Sequence, residues 1–235
     1  DAATEEILQA WGEAYWFLAD LLIEREAAIR AEIEAQPGGW TDWRRFRVAE
    51  KRVEAAGIVS FILRPEDGGA VIPHRPGQYL TLRFDLAGLP GVKRNYSISS
   101  APDAGFYRIT VKREPDGEAS GFLHDHVDVG AVIEATPPAG DFHLPDAPER
   151  PLVLLSGGVG QTPIISMLEV MADRHRDVPV FYVHGTNSPA HHALEAQVHD
   201  AAARHGNVLV ETFYEGGTDD GANRGLITID AGDTI

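Results

Sequence analysis

The chain has 235 residues, no cysteine, and 20 Lys and Arg against 36 Asp and Glu, a formal charge of −16. That balance excludes the basic surface needed for nucleic acid or anionic lipid, so an anionic ligand must be met by local cations and backbone N–H groups. Disulfides and thiolate metal sites are excluded, which fits a cytoplasmic protein, and the length suffices for one large domain or two small ones.

Residues 4–35 read as one long helix, with Ile7, Trp11, Tyr15, Leu18, Leu22, Ile29 and Ile33 recurring near 3.6 residues. Thr4 is placed to cap it, and Glu5 and Glu6 complement its dipole. Asp20 interrupts "YWFLADLLI" and Glu24, Arg25 and Glu26 follow it, so no membrane span is expected, and the first residues show no signal-peptide order of basic, apolar and cleavage regions. "QPGG" at 36–39 stops the helix and serves as a linker. The helix carries four aromatic residues with no second helix nearby to pack on. It is either the last element of a bundle whose remainder lies elsewhere, or a dimerising helix.

From residue 46 to about 138 the period changes to two. "FRVAEKRVEA", "IVSFILRP", "QYLTLRFDL", "KRNYSISS", "FYRITVKRE" and "AVIEATPP" alternate and are separated by Gly, Pro and Asp turns. Six such strands, with a helical insertion "GEASGFLHDHV" before the last, predict a small antiparallel Greek-key barrel. After Pro151 comes "PLVLLSGG", expected to be buried on both faces of a parallel sheet. A helix "TPIISMLEVMADRH" follows, with Thr162 as N-cap and Pro163 in its first turn. Then come the strand "VPVFYVHGT", a helix over "PAHHALEAQVHDAAARHG" and the strand "NVLVETFYE". This βαβαβ order predicts half of a doubly wound nucleotide-binding domain, with "GLITIDAGDTI" standing where further strands should follow.

The expected fold class is therefore multi-domain α+β. A helix (1–36) precedes a six-stranded antiparallel barrel (37–148) and an incomplete doubly wound α/β domain (149–235).

"SGGVGQTP" joins a buried strand to a helix. Gly157, Gly158 and Gly160 let the backbone turn tightly and approach a phosphate, which the following helix N-terminus attracts. A Gly-rich turn alone is often just a turn, but its place in a βαβ unit favours a dinucleotide. "RNYSISS" (94–100) crowds a cation, an amide, a phenol and hydroxyls onto one strand. Alternation sends Arg94 and Tyr96 to one face, Asn95 and Ser97 to the other. Arg94 suits a diphosphate, Tyr96 a planar ring, and Ser97 the edge of that ring. A solvated surface strand is the plainer alternative. "GEAS" (117–120) opens a second helix N-terminus beside Lys112 and Arg113, and "RPGQYL" adds the phenol of Tyr79. A diphosphate with a flat heterocycle at each end, such as FAD, would use all of these.

"RPGQY", "RNYS", "VKRE", "LHDHV", "PPAGDF" and "SGGVGQTP" occur in the order seen in the ferredoxin–NADP reductase superfamily. With "AWGEAY", "REA" and "GGW" in front, the chain from about residue 4 to residue 230 resembles the flavohaemoglobins, bacterial nitric oxide dioxygenases. The resemblance implies the end of a globin followed by FAD and NAD(P) domains, with sequence lacking on both sides. Arg94, Tyr96 and Ser97 match its Arg-x-Tyr-Ser flavin motif, with Asn95 at the variable position, and Tyr79 matches its other FAD tyrosine. Gly117 and Ser120 match its diphosphate turn, beside Lys112. Gly157, Gly158, Val159, Gly160, Gln161 and Thr162 match its nicotinamide-dinucleotide loop. Glu26 matches the acidic residue supporting the proximal haem histidine, although the helices of the haem b pocket and the later Cys-Gly-Pro stretch do not occur in this sequence. The implied reaction passes hydride from NAD(P)H to FAD and electrons to haem, where nitric oxide and O2 give nitrate; Tyr96, Ser97 and Glu26 are its expected catalytic residues. The alternatives are a stand-alone NADH:acceptor reductase and a catalytically silent FAD-binding fragment.

Histidines 124 and 126 in "HDH" face different ways on a helix, so no metal is expected, and His191 and His192 read as exposed helix residues. "HGTNSPAHH" after the second parallel strand holds no Arg or Lys for a 2′-phosphate, which favours NADH over NADPH.

Overall fold

In the computed structural model, which describes residues 4–86 and 88–215, the Thr4 side chain accepts the Ile7 N–H at 3.4 Å and opens α1 (Glu5–Glu34). No residue of α1 is buried, and Trp11, Tyr15, Phe17 and Leu22 project into solvent among the described residues. After the turn at 36–39 the chain is pinned by Trp40, whose buried Nε1–H donates to the Ala135 carbonyl at 3.2 Å.

The barrel contains β1 (Arg44–Ala55), β2 (Ile58–Pro65), β3 (Tyr79–Leu86), β4 (Leu89–Ser97), β5 (Tyr107–Lys112), α2 (Glu118–His126) and β6 (Val132–Ala135). Its order is β4-β3-β6-β1-β2-β5, every pair antiparallel. The two edges, β4 and β5, form no continuous ladder: just past the end of β4 they are joined by the isolated Ile98–Ile109 bridge, the Ser99 N–H to Arg108 carbonyl bond at 2.8 Å and hydrogen bonds of the Ser99 and Ser100 hydroxyls to Arg108 and Thr110. Closure is therefore partial, because β4 ends at Ser97 rather than continuing to Ser100. Phe46, Phe61, Leu80, Leu82, Ile109 and Leu123 fill the interior without solvent exposure, each contributing roughly 1.5–3 kcal/mol by leaving water.

The second unit is a parallel sheet in the order β7-β8-β9: β7 (Leu152–Gly157), β8 (Val180–Thr186) and β9 (Val208–Tyr214). Helices α3 (Gln161–Arg174) and α4 (Glu195–His205) cover one face around Leu168, Met171, Tyr182 and Val198. Ile58 of β2 joins this core, and the Ala56 N–H donates to the Ala190 carbonyl at 2.8 Å, so the two units share a packed seam.

Three local expectations are corrected. β7 is not buried on both faces: Val153 and Leu155 are exposed among the described residues, where helices cover only the side facing Leu154 and Ser156. Thr162 is not an N-cap, because a 3-10 turn over Gly158–Gly160 already winds the chain and α3 begins at Gln161. The helix expected over 189–206 is broken into a 3-10 turn (Pro189–His191) and α4, since Leu194 takes φ +58°. Residues 225–235, where further strands are expected to follow, lie outside the described residues.

Candidate functional site

β4, the end of β5 and the start of α2 enclose a cleft of about 450 Å³ lined by Arg94, Tyr96, Lys112, Glu114, Gly117 and Ser120, among others. The register explains the grouping. Arg94 pairs with Leu82 and Tyr96 with Leu80, so both share the side of the sheet that carries the barrel core. Tyr96 packs half-buried against that core, and burial pushes its phenol up to about 12, against the pull of Arg94. It is a neutral ring at ordinary pH. The exposed Arg94 guanidinium donates to the Lys93 carbonyl at 2.8 Å, and no carboxylate pairs with it among the described residues.

The floor of the cleft is the N-terminus of α2. A Cβ on Gly117 would stand 2.5 Å from the Ser120 Oγ and 2.9 Å from the Glu114 Cβ, so only glycine fits this turn. Ser120 donates to the Gly117 carbonyl (3.0 Å) and accepts the Glu114 N–H (3.1 Å); its hydroxyl holds the turn closed. Lys112 reaches the rim but is paired with Glu114 at 3.1 Å. Arg113 is turned away onto Asp125, whose carboxyl it holds below the usual range.

Tyr79, Asn95 and Ser97 lie on the opposite face of the β3–β4 ribbon. Tyr79 pairs with Ser97 and Thr81 with Asn95, the Thr81 hydroxyl donating to Asn95 Oδ1 at 2.9 Å. The Tyr79 ring lies so close over Gly140 that a Cβ there would stand 2.8 Å from Cε1. The two phenols that sequence reading places around one ligand thus flank the ribbon instead of sharing the cleft. Glu26 joins none of these groups: it accepts from Arg30 at 3.0 Å, and Arg30 also binds Asp42 of the linker at 3.0 Å.

The second site is the loop between β7 and α3. Gly158 has φ +51°, and a Cβ on Gly157, Gly158 or Gly160 would meet nothing within 4 Å. The bare backbone therefore faces open space ahead of the 14-residue helix α3, the setting in which free N–H groups and a helix dipole hold an anion. Val159 is half-buried, and Gln161 and Thr162 are buried. Gln161 Nε2 donates to the Ala193 carbonyl (2.7 Å), and its Oε1 accepts the Tyr182 hydroxyl (3.1 Å). Its side chain is an internal tie, which leaves the backbone to meet a ligand.

Sequence reasoning missed a buried polar row behind this loop. Ser156 Oγ and His184 Nδ1 lie 2.9 Å apart, the His184 and His192 rings are 5.0 Å apart, and His192 Nδ1 is 2.9 Å from the Tyr214 hydroxyl. Burial, and then His192, depress His184 to about 4; burial first depresses His192 as well. His192 is therefore not an exposed helix residue: the break at Leu194 turns it beneath β8 and β9, while His191 does stay outside, beside Ser188 at 2.8 Å. The signal for His184 was present, since it continues the inward series Val180, Tyr182 of β8. Among the described residues no cluster of three His, Cys, Asp or Glu is placed for a metal, and no helix is long and apolar enough to cross a membrane.

Comparison with known proteins places this geometry. The family model for an oxidoreductase FAD-binding domain matches residues 45–144, and that for an oxidoreductase NAD-binding domain matches residues 154–231. A flavohemoprotein of Xylella fastidiosa is 55% identical over 231 residues, 98% of this chain and 58% of that protein. One from Halalkalibacterium halodurans is 42% identical over 222 residues, 92% of this chain and 54% of that protein. The chain thus spans little more than half the length of these curated relatives. Among solved structures, the flavohem-like FAD/NAD-binding domain of a nitric oxide dioxygenase from Vibrio cholerae aligns with a TM-score of 0.74 at 35% identity, covering 85% of this chain and 83% of that one. A flavohemoglobin from Malassezia yamatoensis, with bound FAD and heme, aligns with a TM-score of 0.83 at 26% identity, covering 99% of this chain and 60% of that one.

Proposed function

Since this chain belongs to the flavohaemoprotein family and spans its FAD- and NAD-binding portion, we propose that it works as the reductase unit of a nitric oxide dioxygenase. The observation that carries the reading is the cleft at 94–120. On a chain of charge −16, a guanidinium without a carboxylate partner among the described residues, a neutral phenol and an open helix N-terminus converge on one hollow. FAD, when bound, accepts hydride from a reduced dinucleotide and passes electrons on singly.

The chain's own residues do the positioning. Arg94, Lys112 and the first-turn N–H groups behind Gly117 and Ser120 hold the diphosphate; Tyr96 offers its ring face; Tyr79, Asn95 and Ser97 border the same ribbon from its other side. The backbone of Gly157, Gly158, Val159 and Gly160, leading into Gln161 and Thr162, holds the dinucleotide. NADH is favoured, because residues 184–192 contain no Arg or Lys. A globin domain of the intact protein, packing on the apolar side of α1 near Glu26, would hold the haem that takes the electrons, and that group would supply the chemistry that turns nitric oxide and O2 into nitrate. The domain limits 1–36, 37–148 and 149–235 and a cytoplasmic location are part of this reading.

An absorption spectrum between about 300 and 650 nm, before and after anaerobic NADH, tests it. Flavin bands that bleach are expected. Flavin that binds but stays oxidised would reduce the chain to a binding module, and failure to take up added FAD would remove the assignment of Arg94 and Tyr96.

A further inference from the structure

The dinucleotide loop has almost nothing of its own to hold it. Three of its residues are glycines whose Cβ positions face open space, and Gly158 sits in the left-handed region. A loop without side chains keeps its shape only if its two ends are fixed. Both ends are fixed, by polar side chains packed behind the sheet.

At the first end stands Ser156, the last side chain of β7 before Gly157. It is the direct register partner of His184, and the two side chains are 2.9 Å apart. At the second end stands Gln161, joined to the Ala193 carbonyl at 2.7 Å and to Tyr182 at 3.1 Å. Tyr182 and His184 share one face of β8, and Ala193 follows His192 directly. His192 in turn packs its ring 5.0 Å from that of His184 and reaches the hydroxyl of Tyr214, at the end of β9. The two ends of the loop are thus braced on one strand and one turn. That turn is set apart from α4 by the positive φ of Leu194.

The arrangement costs the fold something. A row of polar groups occupies core positions, and the Nε2 atoms of both histidines are buried with no hydrogen-bond partner among the described residues. An apolar pair would fill the same space without that penalty. Each imidazole uses only Nδ1, so the uncharged ring is required: a protonated ring would carry a second N–H with nothing to receive it. Groups kept in a core against their own desolvation need a reason, and here the reason is adjacent.

We infer that His184, acting through Ser156 and supported by His192, is a positioning residue for the dinucleotide loop: the row from Ser156 to Tyr214 holds the Gly157–Thr162 backbone in the shape that receives the ligand's diphosphate. This rests on the reading of that loop as the NADH site. His184 touches neither cofactor. It sets the direction in which the N–H groups point, and so governs affinity for the dinucleotide without altering the flavin cleft.

The test uses the FAD-loaded protein and ADP-ribose, the part of a dinucleotide that meets the loop and cannot react, with binding followed by titration calorimetry. Ser156→Ala and His184→Phe each remove the tie, and each is expected to weaken ADP-ribose about tenfold, the worth of one buried hydrogen bond and the order it imposes. The NADH concentration for half-maximal flavin bleaching should rise by the same factor, with the limiting rate within about twofold and FAD affinity unchanged. His184→Asn, whose side-chain amide replaces Nδ1, should restore binding. Should His184→Phe fail to fold, Ser156→Ala, which loses only a hydroxyl, decides. Wild-type protein that binds no ADP-ribose would overturn the NADH site itself and this inference with it. Wild-type protein that binds, with variants indistinguishable from it or with His184→Asn as weak as His184→Phe, would overturn the role of His184 alone.

Discussion

The molecule contains two turns that open onto the N-terminus of a helix, at Gly117 and at Gly157, and they are built on opposite plans. The first is furnished with side chains. Arg94 and Lys112 come to it from β4 and β5, with Glu114, Asp116 and Glu118 close by. The second is furnished with backbone: no Lys or Arg occurs from residue 152 to 171, the glycines are bare, and the neighbouring side chains turn inward. A side-chain site gains strength from formal charge and loses it to salt and to nearby acids. A backbone site draws on short-range N–H donors and a helix end whose pull fades within a turn, so it depends on whatever fixes the loop from behind. The difference teaches where each is fragile: the first at its own residues, the second at residues that never meet the ligand.

The sharpest way to separate the two is Gly158→Val. At φ +51° a β-branched residue is strained by about 1–2 kcal/mol, and its side chain would fill the space ahead of the loop. NADH binding should fall on the order of 100-fold, with FAD content unchanged, as read by NADH titration of the FAD-loaded protein. Arg94→Ala is the converse. FAD should bind about 10- to 100-fold more weakly, the worth of a charged hydrogen bond, while the melting temperature of the FAD-free protein stays put. The loss should shrink as salt is raised; a salt-independent loss would remove Arg94 from the diphosphate.

A third experiment uses pH to reach the second unit, with His184→Asn separating its part from that of His74, which burial depresses in the first unit. His184 titrates at about 4 in the fold and at about 6.5 when unfolded. The unfolded chain therefore takes up the proton first. The stability due to keeping His184 neutral is fully present above about pH 6.5 and is lost by up to ~1.4 kcal/mol per pH unit as pH falls toward 4. Urea midpoints at pH 7.5 and 5 should differ less in His184→Asn than in the wild type. Equal differences would mean that the buried pair is not held neutral. The smallest effect belongs to Glu114→Gln, which frees Lys112 from its partner at 3.1 Å. FAD should bind about two- to threefold more tightly, since a half-exposed pair is worth only ~0.5 kcal/mol.

Much of the architecture could be read along the chain, because its signals are local. The period of two in Leu80, Leu82 and Phe84, the capping of α1 by Thr4, and the Gly-rich turn between a strand and a helix each involve neighbours within a few residues. The grouping of Arg94 with Tyr96 followed from strand alternation alone. The same alternation, applied to Tyr79 through the β3–β4 register, sends it to the far side, but that register belongs to the pairing of two strands and not to either one.

The sequence by itself determined most kinds of element, their order and the two glycine-bearing turns that lead into helices, since propensity, alternation and glycine act over short range. Tertiary structure alone decided which face of β7 is covered, that the Gln161 side chain is tied to Ala193 and Tyr182, and that His192 is buried. Each of those depends on a distant partner: Gln161 on Ala193, 32 residues away, and His192 on Tyr214, 22 residues away. A buried polar group reveals its purpose only when the group that satisfies it has been brought alongside, and no periodicity within the chain records that meeting.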